Sequence, residues 1–125
     1  MESKLSRRFE IAKVASILSN ARRSKKVGAA LFSGSKLLSI GSNEYKKTHP
    51  DAAPFHNIHA EHRCLLRRRW RENGNNLSIY VYRELFDGTI ACSKPCINCI
   101  ELLRVAGVRT AYYFDRNGII TSLKI

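Results

Sequence analysis

Hydrophobic positions divide the first third of the chain into one helical segment and two strand-like segments. Apolar residues recur at the i, i+3, i+4, i+7 and i+10 spacing of one buried helix face at Ile11, Val14, Ala15, Leu18 and Ala21. Basic residues crowd positions 22–26, where they suit the negative end of the helix dipole. Residues 27–32 and 36–40 then flank Ser33-Gly34-Ser35, which predicts two strands joined by a tight turn.

The middle of the chain predicts a long loop, a helix and a central strand. Residues 41–58 lose the apolar period and contain Gly, Asn, Thr, His and two prolines, and loops of that length commonly carry function. A helix is predicted over about 59–71, ending at Asn73-Gly74-Asn75. Residues 77–82 are apolar or β-favouring on both faces, as in a strand covered by helices on each side.

The last third predicts a helix and a hairpin. Pro95 opens a helix over about 96–106, and Gly107 stops it. Strands are predicted over 108–114 and 119–125, and the turn residues 115–118 between them favour an antiparallel pair. The whole order is helix, hairpin, helix, strand, helix, hairpin, and one mixed sheet with helices on both faces can bury all of these elements.

Composition places the chain among soluble globular proteins. Its 125 residues suit a single domain over 1–125, and the 44% hydrophobic and 26% charged residues are close to the usual mix. We find neither the apolar run of a signal peptide nor a membrane-length apolar stretch, so we expect a cytoplasmic protein without membrane contact. Four cysteines in such a chain favour metal binding or catalysis over disulfides.

Net charge indicates an anionic partner. Lys and Arg total 22 against 10 acidic residues, which gives +12 at pH 7. An excess of this size attracts anions, so nucleic acid, a nucleotide or an acidic surface are the candidates, with solubility alone as the simpler explanation.

Two short stretches carry the candidate chemistry, and both lie at predicted helix starts. Cys96 and Cys99, at i and i+3, share a helix face, and the helix N-terminus is expected to lower their thiol pKa. A catalytic zinc site uses three protein ligands with water in the fourth place, and His59 is the natural third ligand. Glu61 then lies beside the metal as a non-ligand carboxylate that can move protons. His-x-Glu followed by Pro-Cys-x-x-Cys is the signature of zinc nucleobase deaminases.

Other interpretations of these residues stay open. Cys96 and Cys99 could form a redox-active Cys-x-x-Cys pair, but the His-Ala-Glu motif at 59–61 would then have no role. A closed structural zinc would need a fourth ligand such as Cys64, which fits better as a packed core thiol. Loop histidines His49 and His56, together with His62, could bind a second metal, but they are more typical of ordinary polar positions. The strand aromatics are expected in the core; they are Tyr80, Tyr82, Tyr112, Tyr113 and Phe114.

The motifs give the chain a resemblance to the cytidine and deoxycytidylate deaminase superfamily, over nearly its whole length. The resemblance rests on residues 41–43 (Gly-Ser-Asn), 59–61 (His-Ala-Glu), 93–99 (Ser-Lys-Pro-Cys-Ile-Asn-Cys) and the helix-Gly107-strand that follows. It implies an α/β fold, namely a three-layer α/β/α sandwich with one mixed five-stranded sheet. It also implies one zinc ion per chain, attack of an activated water on C4 of cytosine or C6 of adenine, and release of ammonia.

The resemblance also implies substrate contacts. Asn43 stands where the family has an Asn that contacts the sugar, while the backbone of Ala60 and the Ser93-Lys94 segment would border the base. A histidine as first ligand is similar to the deoxycytidylate, tRNA-adenosine and polynucleotide cytosine branches. An antiparallel last strand, in contrast, is a feature of free-cytidine deaminases. The first zinc ligand and the last strand therefore indicate different branches of the superfamily. Members of the superfamily commonly assemble, which allows a homo-oligomer.

Arginines on the predicted zinc helix leave two substrate classes open. Arg63, Arg67 and Arg71 fall at i, i+4 and i+8, a spacing that is typical of a solvated face but would also suit phosphate contacts. We expect a deoxycytidine nucleotide, with the monophosphate first. The alternatives are a cytosine or adenine deaminase acting on single-stranded DNA or RNA, and a zinc-stabilised nucleic-acid-binding module without turnover.

Overall fold

One five-stranded sheet organises the chain in the computed structural model, which describes residues 4–17, 26–45, 57–67, 76–85 and 89–125. The elements are α1 (Lys4–Ile17), β1 (Lys26–Ser33), β2 (Lys36–Ser42), β3 (Glu44–Tyr45), β4 (Asn57–Ile58), α2 (Ala60–Arg67), β5 (Leu77–Glu84), α3 (Ile97–Val105), β6 (Val108–Phe114) and β7 (Ile120–Lys124). The strand order is β2-β1-β5-β6-β7, so the strand that is apolar on both faces takes the centre, as predicted.

The sheet is mixed because β5 and β6 run parallel while the remaining neighbours run antiparallel. Gly34, at φ +58°, turns the chain from β1 into β2. In the turn before β7, the Asp115 carboxylate accepts the N–H groups of Asn117 and Ile119, and Gly118 takes φ +75°. The predicted antiparallel last strand is therefore confirmed.

Helices cover both faces of the sheet. On one face, Phe9 and Ala12 of α1 pack with Ala30, Phe32, Tyr80 and Tyr82. On the other face, the second cluster joins residues of α2 and α3 to alternate strand positions: Ala29, Leu31, Ala60, Cys64, Leu77, Ile79, Val81, Leu103, Val108 and Ala111. The predicted three-layer α/β/α sandwich with five strands is confirmed, and so is the burial of the strand aromatics Tyr80, Tyr82 and Tyr113.

The buried face of α1 differs from the prediction. Val14 is 58% exposed, whereas the predicted Ala15 is buried and Ile11 is partly buried. The other buried positions of α1 are Arg8, Phe9, Ala12 and Ser16. The reason lies in β1, where a Cβ at Gly28 would overlap backbone atoms of Ala12 and Ser16. The helix comes so close that small side chains must face the strand. Leu18 and Ala21 lie outside the described residues.

Several element boundaries also shift. Strand β2 continues to Ser42, and β3 pairs with β4 inside the segment predicted as a loop. Helix α3 begins at Ile97 with Cys96 as its N-cap, so Pro95 precedes the cap instead of opening the helix. The loop histidines His49 and His56 and the predicted helix end near 71 lie outside the described residues. Within the described part of the chain, no helix is long and apolar enough to cross a membrane.

Candidate metal centre and active-site cleft

The two helices on one face of the sheet bring three metal-binding side chains together. His59 directly precedes α2, and the β3–β4 pair anchors the chain just before it. Cys96 caps α3, and Cys99 lies in its first turn. Because α2 and α3 pack against each other on the same face, their N-terminal ends meet.

The three donor atoms fit a zinc ion. His59 Nδ1 lies 3.2 Å from Cys99 Sγ and 3.6 Å from Cys96 Sγ, and all three ligand atoms lie within 4.8 Å of one another. Tetrahedral zinc with ordinary Zn–N and Zn–S bonds separates such donors by roughly 3.6 Å. One nitrogen and two sulfurs form the donor set of a catalytic zinc with its fourth position open. The described residues contain no other cluster of this kind.

Cys64 is a core thiol, as predicted. It is fully buried, and its Sγ donates a hydrogen bond to the Ala29 carbonyl oxygen at 3.2 Å. Its interactions tie α2 to the sheet, because its own carbonyl accepts from the Ser39 hydroxyl on β2.

The two ligand cysteines have different surroundings. Cys96 Sγ is exposed and accepts the Cys99 N–H at 3.4 Å, so the helix N-terminus directs a donor at this sulfur. Cys99 is buried, and its pKa is raised well above the ordinary thiol range, first by burial and then by the neighbouring Glu61 carboxylate. The expected lowering of the thiol pKa is therefore wrong for Cys99 in the metal-free protein, because desolvation outweighs the helix terminus.

Glu61 lies beside the three donors with only 5% of its surface exposed. Burial raises the pKa of its carboxyl above the usual range, and this effect outweighs the lowering by its own backbone N–H, by His59 and by a hydrogen bond with Cys99. A cation bound at the neighbouring donors would favour the ionised form. A raised pKa that a bound cation would lower again suits a group that must take up and give back a proton, as a general acid/base must.

A cleft of about 290 Å³ opens over this centre. His59, Glu61 and Cys96 line it, so the open side of the donor set faces the cleft. All four predicted substrate contacts also line it: Asn43, Ala60, Ser93 and Lys94. The structure therefore brings together the residues predicted from the motifs.

Hydrogen bonds hold two of these cleft residues in place. The Asn43 amide oxygen accepts the Val27 N–H at 2.9 Å, which fixes the side chain against β1. The Ser93 hydroxyl donates to the Val81 carbonyl at 2.8 Å and accepts the Phe114 N–H at 2.9 Å, which ties β5 to β6. Because the Ser93 hydroxyl is engaged on both sides and the Ser93 N–H donates to the Phe114 carbonyl at 2.9 Å, the polar group of Ser93 suited to a substrate contact is its backbone carbonyl.

Arg83 is a cleft residue that sequence reasoning missed. It lines the cleft together with Lys94, and its guanidinium donates to the Cys92 carbonyl at 3.1 Å. Its position directly after the predicted central strand was the available signal, since ligands of α/β proteins bind beyond the carboxyl ends of strands. The structure does not test the three cations predicted as phosphate contacts, because Arg71 lies outside the described residues and the side chains of Arg63 and Arg67 on α2 are not described.

The α/β/α layers and a His-Cys-Cys centre with a buried carboxylate beside it define a zinc-dependent deaminase. The chain belongs to the cytidine and deoxycytidylate deaminase family, since the model of that family's zinc-binding region matches residues 2–115. Among curated protein sequences, none matches the chain.

Solved structures of similar fold include a cytidine deaminase and a dCMP deaminase. Cytidine deaminase from Burkholderia pseudomallei is 20% identical, with 94% of this chain and 90% of that chain covered at a TM-score of 0.70. dCMP deaminase from the cyanophage S-TIM5 is 21% identical, with 92% and 86% covered at a TM-score of 0.67 in its apo form. The same enzyme in complex with dCMP and dUMP aligns at a TM-score of 0.64, with 21% identity over 92% and 84% of the two chains. At these identities the similarity shows the shared fold alone.

Proposed function

We propose that the chain deaminates cytosine in a deoxycytidine nucleotide, with the monophosphate as substrate, and that His59, Cys96 and Cys99 hold the zinc. The observation that carries this proposal is the presence of two cations, Arg83 and Lys94, in the cleft that contains Glu61. A single nucleotide phosphate needs one or two such partners. The dCMP deaminase of similar fold, with dCMP and dUMP bound, supports the same substrate class.

The proposed chemistry is hydrolysis at C4 of the base. Zinc, when bound, supplies a Lewis acid that lowers the pKa of water towards neutrality. Glu61 accepts a proton from the attacking water and returns it to the departing amine. The new C4–O bond stays, the C4–N bond breaks and ammonia leaves, so cytosine becomes uracil. Asn43 orients the sugar, and the backbone of Ala60 and of the Ser93-Lys94 segment borders the base. The side chain of Lys94 is then available for the phosphate.

The cleft cations give this proposal a direct test. Ammonia release is measured on deoxycytidine, cytidine, their monophosphates, adenosine and cytosine-bearing oligonucleotides. We expect dCMP to give the highest kcat/KM. Lys94→Gln should lower kcat/KM for dCMP by about tenfold, the value of one charge-assisted hydrogen bond, and leave deoxycytidine turnover unchanged.

Lys124→Gln is the matched control, because Lys124 is an exposed lysine of β7 that does not line the cleft. It should leave both substrates unaffected. If Lys94→Gln lowers turnover of deoxycytidine and dCMP equally, or if only the oligonucleotide reacts, the monophosphate is not the substrate.

A further inference from the structure

A second cleft, of about 210 Å³, opens at the other end of the central strand. Its polar lining consists mainly of Arg8, Ser78, Tyr80, Arg109, Thr110 and Tyr112. The metal-centre cleft is lined by Val81 and Arg83 of β5, whereas this cleft is lined by Leu77, Ser78 and Tyr80 of the same strand. Of the described residues, none lines both clefts, and at about 3.3 Å per strand residue Ser78 and Arg83 are roughly 16 Å apart. This cleft is therefore separate from the site of deamination.

Arg8 is a buried cation with neutral partners in this cleft. It is 8% exposed, and its guanidinium donates to the Tyr80 hydroxyl at 2.7 Å and to the Gly34 carbonyl at 2.8 Å. Its planar group also lies over the rings of Phe32 and Tyr80, at 4.4 and 5.2 Å from their centroids. Within the described part of the chain no carboxylate pairs with it, and its hydrogen bonds to Tyr80 and Gly34 use two of its five N–H donors. A buried charge without a counter-charge is costly, so an anion would be stabilising here.

Arg109 adds a second cation to the same cleft. It lies on β6, which runs parallel to β5 with Ser78 opposite Thr110, and its side chain is exposed. Two guanidinium groups around one cleft repel each other unless an anion lies between them. The hydroxyls of Ser78, Thr110 and Tyr112 add neutral groups able to donate hydrogen bonds to oxyanion oxygens.

We propose that this cleft is a second binding site, for a phosphate group, formed by Arg8 and Arg109. The planar donor fork of Arg matches the oxygens of phosphate, and Arg8 is held in place before any ligand arrives by its two hydrogen bonds and two ring contacts. Such preorganisation lowers the entropy cost of binding. The site takes inorganic phosphate or the phosphate of a nucleotide, and it stands independently of the substrate deaminated at the metal centre.

The test is a phosphate titration of the zinc-loaded full chain, followed by backbone amide NMR and calorimetry. Saturable shifts are expected at Gly34, Ser78 and Thr110. Arg109→Gln should weaken the affinity about tenfold, since it removes charge-assisted hydrogen bonds to the phosphate. Arg109 is exposed, so the change leaves the buried core untouched. Arg8→Lys keeps the charge but loses the fork, and should also weaken binding.

Arg116→Gln is the matched control, because Arg116 is an exposed arginine in the turn before β7 and lines neither cleft. It should leave the affinity unchanged. A parallel titration with thymidine monophosphate distinguishes a nucleotide ligand from inorganic phosphate. If the nucleotide binds more tightly than inorganic phosphate, the cleft also contacts the nucleoside. If the two bind equally, the cleft recognises the phosphate group alone. The proposal is overturned if the shifts cluster at Ala60 and Lys94, if binding does not saturate, or if Arg116→Gln weakens binding as much as Arg109→Gln does.

Discussion

Glu61 combines burial with direct access to the cleft, and this combination suits a group that must exchange protons out of bulk water. His59, Cys96 and Cys99 can bind a cation together through one nitrogen and two sulfurs. Glu61 is not needed to complete this set of ligands. Loss of the carboxylate should therefore affect turnover and spare the metal.

Glu61→Gln is expected to retain the fold and the zinc, because an amide has nearly the shape of a carboxyl group. Turnover should fall by at least about 10²- to 10⁴-fold, the contribution of a positioned acid/base. Elemental analysis gives the zinc content, and ammonia release gives kcat. Turnover near the wild-type value in a zinc-loaded variant would remove Glu61 from the mechanism.

The raised pKa of Cys99 predicts a pH-dependent zinc affinity. Since its thiol is protonated near neutral pH in the metal-free protein, zinc must displace that proton to bind the thiolate. Affinity should then rise with pH, by about tenfold per pH unit for each proton released. Calorimetry of zinc binding in buffers with different ionisation enthalpies counts the protons. Release of none would contradict this account of Cys99.

The positions of these residues could be predicted from spacing, whereas their surroundings could not. His59, Glu61, Cys96 and Cys99 follow from short motifs, because a helix start places i and i+3 on one face. The burial that raises the Cys99 pKa depends on how α2 and α3 pack, and no local pattern encodes it. For Arg83 the position directly after the predicted central strand was a usable signal, but its contact with the Cys92 carbonyl depends on the chain folding back and could not be predicted.

At the scale of elements, the packing of α1 against β1 is the contact that the apolar pattern of the sequence did not predict correctly. The apolar period of the helix selects a face with Val14, whereas Gly28 leaves a flat surface on which small residues such as Ala12 and Ser16 pack. Strands and turns were predicted more accurately, since Gly34 and the 115–118 turn mark the chain reversals locally.

Gly28→Ala should destabilise the protein, because the new Cβ would overlap the backbone of α1 and separate helix from strand. We expect the free energy of unfolding to fall by about 1–3 kcal/mol or more, as for other overpacked cores. Urea denaturation of the zinc-loaded protein measures it. Gly34→Asn is the control, since that position has open space and Asn tolerates its positive φ. Equal midpoints for wild type and Gly28→Ala would disprove the close contact.

Across the whole molecule, the charge of +12 exceeds what one nucleotide phosphate requires. A single strand lying along Arg63, Arg67 and Arg71 would release several counterions, and the logarithm of its affinity would fall with log salt by about 0.7 for each phosphate neutralised. A nucleotide monophosphate has one phosphate and should show a gentle slope. Salt dependence therefore separates the proposed substrate from the polynucleotide alternative.

We expect kcat/KM for dCMP to change little between low and physiological salt, and to survive replacement of those three arginines with glutamine. The measurement is turnover of dCMP and of a cytosine-bearing oligonucleotide at both ionic strengths. Changing the exposed residues Arg7, Arg116 and Lys124 to glutamine removes the same charge elsewhere and serves as the control. The polynucleotide would be the substrate if only the oligonucleotide reacts and its kcat/KM falls steeply with salt. Replacement of Arg63, Arg67 and Arg71 should then reduce that salt dependence, whereas the control replacements should not.

The placement of the metal ligands at two helix starts has a topological consequence. Cys96 follows His59 by 37 positions, so an ion held between them closes a loop that contains α2 and the central strand β5. Such a closure restricts the unfolded chain as a disulfide does, and its effect grows only slowly with loop length. Unlike a disulfide, it forms and breaks with the free concentration of the ion, which stabilises the native state by mass action. Zinc held by these residues would couple metal supply to folding, and a chelator would then loosen the chain as well as remove the reaction centre.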